Sequence, residues 1–156
     1  KDKINKLKAV NGKRSVDSLH RELGLVMWDF VGMGRTAKSL TTAIGKLKEV
    51  KKEFWSNVRI PGDVNELNVE LEKALRVADF IEIGLLMAHD ALMREESCGG
   101  HFREEHQTEE GEALRHDDKF FFVGCWKYTG EESDPELIKE DLVYEETPVQ
   151  TRNYKS

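Results

Sequence analysis

Long hydrophobic runs are absent from this 156-residue sequence, and no stretch approaches the roughly 20 apolar residues needed to cross a bilayer. The most apolar stretch, residues 81–88, is interrupted by Glu82. No signal-peptide pattern opens the chain, and no Gly-x-Gly-x-x-Gly motif lies between a strand and a helix. We therefore expect no direct membrane insertion and no dinucleotide site of that type.

Cysteines are few and carry no metal-site spacing. Cys98 and Cys125 stand in unrelated contexts, which favours reduced thiols over a disulfide framework, although a disulfide between them is the open alternative. Neither has a neighbouring base that would mark a nucleophile. His101, His106 and His116 lie near acidic residues, but their spacing in a loop matches no known ligand set. We predict no catalytic, cofactor-binding or metal-binding residue in this sequence.

Charge is abundant but unevenly distributed. Residues 1–60 hold 14 lysines and arginines against 6 acidic residues, whereas residues 61–156 hold 10 against 24. The lysines of the basic part fall on the polar faces of predicted helices without interleaved aromatic residues, so nucleic-acid binding is not favoured. We expect attraction between a basic second helix and an acidic third helix, and an acidic tail that faces a partner.

Two helices are predicted in the first 62 residues from apolar side chains at helical spacing. The first has Ser15 as its N-cap and ends at Gly32 or Gly34. The second begins near Thr36 and ends at residues 59–62, because the residue before a proline avoids the helical conformation. Their apolar stripes are Leu19, Leu23, Val26, Met27 and Phe30, and then Leu40, Ala43, Ile44, Leu47, Val50 and Phe54.

A third helix is predicted to be the longest. Asp63 is its expected N-cap, with Glu66 three residues later as a variant of the capping box. Its stripe continues for about 30 residues and stops at a glycine pair, of which Gly99 or Gly100 is the expected C-cap. The stripe consists of Leu67, Leu71, Ala74, Ala78, Ile81, Leu85, Ala88 and Leu92.

The predicted fold class is mainly α. Short connections make consecutive helices antiparallel, so residues 1–98 are expected to form an antiparallel three-helix bundle that resembles a spectrin repeat. Residues 99–156 are expected to add an acidic loop, a β-hairpin over residues 120–128 and 138–146, and an extended tail within the same domain. Two strands alone are marginal in water, so the hairpin needs a surface, either this bundle or another domain.

The segment after the third helix, residues 96–105, reads Glu-Ser-Cys-Gly-Gly-His-Phe-Arg-Glu-Glu. His101 and Arg103 alternate in an extended stretch and so face the same side, where they suit a carboxylate or a phosphate. If they serve an interface, both are expected to be exposed in this chain. Alternatively, Arg103 caps the carbonyl groups that end the third helix or pairs with Glu95 or Glu96.

This segment resembles the Glu-Ser-Arg-Gly-Gly/Ala-His-x-Arg-Glu/Leu-Asp stretch in the C-terminal part of succinate dehydrogenase and fumarate reductase flavoprotein subunits. L-aspartate oxidase carries a similar stretch. Further segments are similar to the same family in the same order: residues 15–23 with Met27-Trp28, residues 31–36 with Ser39-Leu40, and residues 151–154. Cys98 stands where many members carry arginine, so any ion pair made by that arginine is absent here.

The resemblance implies the C-terminal helical domain of such a subunit, and the chain, which begins at Lys1 without an initiator methionine, is expected to be cut from a longer flavoprotein. The parent enzyme would interconvert succinate and fumarate at FAD and pass electrons to an iron–sulfur subunit and then to quinone. FAD would be held elsewhere in the parent, by its flavin-binding domain. An autonomous helical interaction module and the C-terminal domain of an L-aspartate oxidase are the alternatives.

The role implied for this domain is scaffolding, with contacts to the flavin-binding domain of the same chain and to the iron–sulfur subunit. Arg35, Glu96, His101 and Arg103 are the candidate interface residues. The implied location is cytoplasmic, peripheral on the inner face of the cell membrane through partner subunits.

Overall fold

Helices dominate the computed structural model, which describes residues 2–63, 66–130 and 133–150. Within these residues lie the helices α1 (Asp2–Ala9), α2 (Val16–Val31), α3 (Ala37–Asn57), α4 (Val69–Met93) and α5 (Asp117–Phe120). The strands are β1 (Arg14–Ser15), β2 (Gly34–Arg35), β3 (Val58–Arg59), β4 (Phe102–Arg103), β5 (Phe122–Lys127) and β6 (Glu136–Asp141). No helix of this described part is both long and apolar enough to span a membrane. Residues 151–154, the last of the resembling segments, lie outside the described residues.

The helices α2, α3 and α4 pack against one another, which confirms the predicted three-helix bundle. Ser15 caps α2 by accepting the backbone N–H of Ser18. Thr36 and Ser39 form a capping box at the start of α3. Both N-caps are therefore as predicted. The first residues of α2 lie beside the last residues of α3, so these two helices are antiparallel.

The bundle core is built from the apolar stripes. In α2 the buried members are Leu19, Leu23 and Val26, and in α3 they are Leu40, Ala43, Leu47, Val50 and Phe54. Helix α1 adds the fully buried Leu7 to this core. These predicted core positions of α2 and α3 are thus confirmed, whereas Met27, Phe30 and Ile44 of the predicted stripes are only partly buried against the core.

The start of α4 differs from the prediction. Its N-cap is Asn68, not Asp63, and Leu67 is fully exposed, so the buried stripe begins only after it. The Asn68 side-chain oxygen accepts the backbone N–H of Leu71 at 3.0 Å, while its amide nitrogen donates to the carbonyl of Pro61 at 3.0 Å. An aspartate has no donor for the second bond, which explains why the asparagine takes the capping position.

The end of α4 differs as well. The helix ends at Met93, and the glycine pair that begins six residues later is not its cap. Gly99 and Gly100 instead form a tight turn in which Cys98 and His101 exchange backbone hydrogen bonds of 2.8 and 3.0 Å. Gly99 has a φ of +59°, which glycine adopts without steric cost. The last carbonyl groups of α4 receive side-chain donors from beyond this turn, so no glycine cap is needed there.

Two short parallel pairings hold the ends of the bundle. Strand β1 pairs with β3 at one end, and β2 pairs with β4 at the other, with Arg35 in register with Arg103. The second pairing places the segment after α4 directly beside the junction between α2 and α3. This pairing brings together three of the candidate interface residues, Arg35, His101 and Arg103. The fourth, Glu96, is bound to Arg94 and His116 instead.

The C-terminal hairpin is present but displaced from its predicted bounds. Strands β5 and β6 are antiparallel, with Cys125 opposite Ile138, and Phe120 belongs to α5 rather than to a strand. The hairpin lies on the bundle, because the indole N–H of Trp126 donates to a carboxylate oxygen of Asp90 in α4 at 2.7 Å. Cys98 and Cys125 are both exposed, and no disulfide joins them.

We predict that two isoleucines of α4 differ strongly in their contribution to stability. Ile81 is fully buried, whereas Ile83 is 52% exposed. Ile81→Ala should lower the free energy of unfolding by about 2–5 kcal/mol because it leaves a cavity. Ile83→Ala should cost less than about 1 kcal/mol. Urea unfolding followed by circular dichroism measures both, and equal losses would show that the buried face of α4 is assigned wrongly.

Candidate interface at the end of the third bundle helix

The final turn of α4 presents carbonyl groups that no later N–H of the helix can reach. The Arg103 Nη1 atom donates to the carbonyls of Ala91 and Leu92 at 3.0 and 3.1 Å. The His101 Nε2 atom donates to the carbonyl of Arg94 at 2.9 Å. Two side chains of one extended segment therefore cap the helix, and the positive charge of Arg103 also suits the negative end of the helix dipole.

His101 and Arg103 face the same side, as their alternation predicts, but the expectation that both are exposed is wrong. Arg103 is only 2% exposed, and His101 is half-buried. The pairing of β2 with β4 holds their segment against the end of α4, which explains the burial. Local capping, the alternative hypothesis, is what the structure shows. The expected ion pair of Arg103 with Glu95 or Glu96 is replaced by a pair with Glu105 at 3.2 Å.

Ser97 fixes the backbone at Arg103. Its side chain is fully buried, and its hydroxyl oxygen accepts the N–H of Arg103 at 2.8 Å while donating to the carbonyl of the same residue at 3.1 Å. These two bonds fix the backbone of Arg103 beside the C-terminal end of α4. Sequence reasoning missed Ser97, because a serine in a loop carries no signal of its burial.

Glu105 links the ends of two helices. One carboxylate oxygen accepts the N–H of Ala37, the first residue of α3, at 2.6 Å, and the other pairs with Arg103. Burial acts to raise the pKa of Glu105, but the hydrogen bonds from the backbone and from Arg103 together lower it. Glu105 lies in the turn that follows β4, two residues after Arg103, and this closeness of opposite charges in sequence is a signal that could have predicted the pair.

Glu96 and Arg94 attach the C-terminal segment to the bundle. Arg94 Nη1 pairs with a carboxylate oxygen of Glu96 at 2.9 Å and also donates to the carbonyl of Phe120 at 3.0 Å. The other oxygen of Glu96 accepts the N–H of His116 at 3.0 Å. Glu96 is 3% exposed, and both of its carboxylate oxygens bind groups of the same chain. The guanidinium of Arg94 also lies 4.9 Å from the ring of Phe122.

Arg35 is the candidate interface residue that leaves most of its hydrogen-bond donors unbound within the described part of the chain. Its Nε atom donates to the carbonyl of Gly32 at 3.1 Å, and its guanidinium has no carboxylate within ion-pair distance among the residues that the structure describes. Burial and then the charge of Arg103 lower the pKa of Arg35, while Asp90 acts in the opposite direction. Arg35 is therefore a half-buried cation with amino groups that can still bind a partner.

His101 is held in its neutral form. Burial is the main cause that lowers its pKa, and the positive charges of Arg35, Arg103 and Arg94 act in the same direction. The hydrogen bond to the carbonyl of Arg94 opposes them. A neutral imidazole suits this position, since a positive charge on His101 would be repelled by the three arginines.

The three histidines of the C-terminal segment do not converge. The rings of His106 and His116 lie 5.4 Å apart, edge to face, whereas His101 is bound to the end of α4. Among residues 2–63, 66–130 and 133–150, no group of three or more His, Cys, Asp or Glu side chains is arranged to hold a metal ion.

We predict that Arg103→Ala destabilises this chain. The substitution leaves the carbonyls of Ala91 and Leu92 buried without donors, so the free energy of unfolding should fall by about 2–4 kcal/mol. Arg115→Ala is the matched control, because Arg115 makes a surface pair with Asp117 at 2.7 Å and its loss should cost less than about 1 kcal/mol. Thermal unfolding of both variants tests this, and an unchanged melting temperature for Arg103→Ala would contradict it.

We also predict a pH dependence that originates at His101. Its pKa in the folded chain lies below the usual 6.5, so the unfolded chain binds more protons just below that pH. The stability that neutral His101 contributes is present above pH 6.5 and is lost as the pH falls from 6.5 towards the folded-state pKa. His101→Gln keeps an N–H donor but does not titrate, so it should lose less stability between about pH 7 and about pH 5. Identical pH profiles for the two proteins would refute this.

Comparisons with known proteins identify the family. The model described as "Fumarate reductase flavoprotein C-term" matches residues 20–154. A fumarate reductase flavoprotein subunit of Serratia sp. is 26% identical over 152 residues, which cover 97% of this chain and 24% of that protein. An uncharacterized FAD-dependent oxidoreductase of Methanocaldococcus jannaschii is 31% identical over 104 residues, which cover 67% of this chain and 18% of that protein. A quinol fumarate reductase structure from Escherichia coli has a TM-score of 0.73 and 25% identity, over 94% of this chain and 24% of that chain.

These matches confirm the resemblance that the motifs indicate. The chain spans a quarter or less of the length of the curated relatives named above. The family match covers the bundle, the segment 96–105 and the hairpin together. The chain therefore belongs to the family of fumarate reductase flavoprotein C-terminal domains.

Proposed function

We propose that this domain is a scaffold within an FAD-dependent subunit that interconverts succinate and fumarate. One observation supports this most directly: four side chains of the segment 96–105, those of Glu96, His101, Arg103 and Glu105, are engaged in bonds within the chain. Arg103 and His101 cap α4, Glu105 binds the start of α3, and Glu96 pairs with Arg94. Groups that are bonded in this way position segments of backbone and are not free to act on a substrate.

We propose that residues 1–98 and 99–156 work as one domain in two parts. The bundle supplies the core, and the second part is attached to it through Arg94 and through the bond of Trp126 to Asp90. The partners in this proposal are the flavin-binding domain of the same polypeptide, which would hold FAD, and an iron–sulfur subunit. The location proposed is the cytoplasmic face of the cell membrane, to which partner subunits would attach the protein.

In this proposal the four candidate interface residues do not all touch a partner. They are Arg35, Glu96, His101 and Arg103, and only one of them makes direct contact. Arg35 is the residue placed to touch a partner, because its amino groups are not used within the described chain. His101 and Arg103 would act indirectly, by holding β4, the partner strand of β2, at the end of α4 and so fixing the position of Arg35. Glu96 would act by holding the C-terminal segment at His116.

We predict that the 156-residue chain is folded but inactive alone. It should give a helical circular dichroism spectrum, no flavin absorbance and no dye-linked oxidation of succinate. The full-length polypeptide of the same gene should hold FAD and oxidise succinate with the dye. Stoichiometric FAD on the 156-residue chain would contradict the scaffold assignment, and oxidation of L-aspartate instead of succinate by the full-length protein would favour an L-aspartate oxidase.

A further inference from the structure

The β-hairpin lies outside the apolar core of the bundle. That core extends from Leu7 to Leu92, and its members belong to the helices α1–α4 and the segments that connect them. Among the described residues that follow α4, Phe122 is the only buried apolar one, and it is not a member of this core. The hydrophobic effect therefore contributes little to holding the hairpin on the bundle.

Polar groups at the end of α4 attach the hairpin instead. The indole N–H of Trp126 donates to a carboxylate oxygen of Asp90 at 2.7 Å. The guanidinium of Arg94, the C-cap residue of α4, donates to the carbonyls of Phe120 and Phe122 at 3.0 and 3.3 Å. Asp90 and Arg94 are about one helical turn apart, so the hairpin is attached over a short stretch of the bundle.

The hairpin depends on this attachment for its own structure. Strands β5 and β6 form a ladder that runs from Phe122 opposite Asp141 to Lys127 opposite Glu136. A ladder of two strands is marginally stable in water unless it lies on another surface. If the bonds to the end of α4 break, the hairpin loses its supporting surface, and the two strands are expected to separate in the same event.

The segment 96–105 is attached more firmly. Arg103 is buried and donates to the carbonyls of Ala91 and Leu92, and its strand β4 pairs with β2. The N–H of His116, the residue directly before α5, is bound by the buried Glu96. The boundary between the firmly and the weakly attached parts of the chain therefore lies at His116.

We infer that α5, β5 and β6 form a strap that opens as one unit by local unfolding while the bundle remains folded. Units with few buried apolar contacts open at a lower free energy than the core of the same protein. In the closed state the strap makes hydrogen bonds to the side chains of Asp90 and Arg94. Opening breaks these bonds, so the strap controls whether the two charged groups are available to a binding partner.

Amide hydrogen exchange of the 156-residue chain, followed residue by residue by NMR in rising urea, tests this inference. The protection factor of an amide is the ratio of its intrinsic exchange rate to the measured rate. Protection factors in the β5–β6 ladder should be about 100-fold lower than that of Ile81, which is fully buried in α4. They should also depend less on urea, because opening the strap exposes less surface than unfolding the bundle.

Two variants remove the same hydrogen bond from opposite sides. Trp126→Phe removes the donor on the strap, and Asp90→Ala removes the acceptor on α4. Each should lower the protection factors of the ladder by about tenfold and leave that of Ile81 unchanged, because the bond stabilises only the closed strap. Tyr128→Phe is the matched control, since it removes one polar group from an aromatic side chain that is 72% exposed just after β5. It should leave all protection factors unchanged.

Equal protection and equal urea dependence in the ladder and at Ile81 would overturn the inference, because the domain would then open only as a whole. A parallel loss of protection at Ile81 and in the ladder of the Asp90→Ala protein would do the same. If neither Trp126→Phe nor Asp90→Ala changes the ladder, or if Tyr128→Phe changes it as much, the bond to α4 does not hold the strap closed. Absence of protection throughout α4 would also contradict the inference, which requires a folded bundle.

Discussion

The unsatisfied carbonyl groups at the end of α4 are the constraint on which the rest of the domain depends. A buried helix end must find donors, and here they come from a segment that lies eleven and twelve residues further along the chain. The donor is a buried arginine, so its charge needs an anion, which Glu105 supplies. That carboxylate is in turn shared with the first N–H of α3. The bonds that cap α4 thus connect the end of α4, the start of α3 and the segment 96–105.

Much of the bundle could be predicted from the sequence, because its signals are local. Ser15 and Thr36 are good capping residues directly before apolar stripes, and helical spacing alone identifies the buried positions of α2 and α3. The short connections then set the antiparallel order. The motif in residues 96–105 indicates the family in combination with the other segments that resemble it, and the comparison over residues 20–154 agrees with this.

The ends of α4 and the bonding of the site could not be predicted in the same way. Asp63 and Asn68 are both acceptable caps, and the choice depends on the bond from Asn68 to Pro61, which only the folded loop shows. A glycine pair after a helix usually marks its C-terminal end. Here the side chains of His101 and Arg103 bind the last carbonyl groups of α4 instead. The burial of Ser97 and the bond of Glu105 to Ala37 require the pairing of β2 with β4, a contact between segments far apart in sequence.

Charge contributes to the bundle in a smaller way. Lys51 of α3 pairs with Glu82 of α4 at 2.9 Å, which has the sign expected for a basic second and an acidic third bundle helix. Glu82 is about half exposed, so a pair of this kind adds little to stability. Arg103, by contrast, is buried and donates to backbone carbonyl groups as well as pairing with Glu105. In this domain the charged groups that contribute most to stability are therefore those that also bind backbone groups.

The bond between Glu105 and Ala37 spans 68 residues of sequence, and this distance has a consequence for synthesis on the ribosome. The helices α2 and α3 emerge from the ribosome long before residues 102–105. The first N–H of α3, and later the last carbonyl groups of α4, therefore lack their hydrogen-bond partners for a time. The nascent bundle can form its local contacts early, but its Arg35 end closes only when β4 has left the exit tunnel. The time between the emergence of α3 and that of β4 thus sets how long that end remains open to chaperones or to premature association.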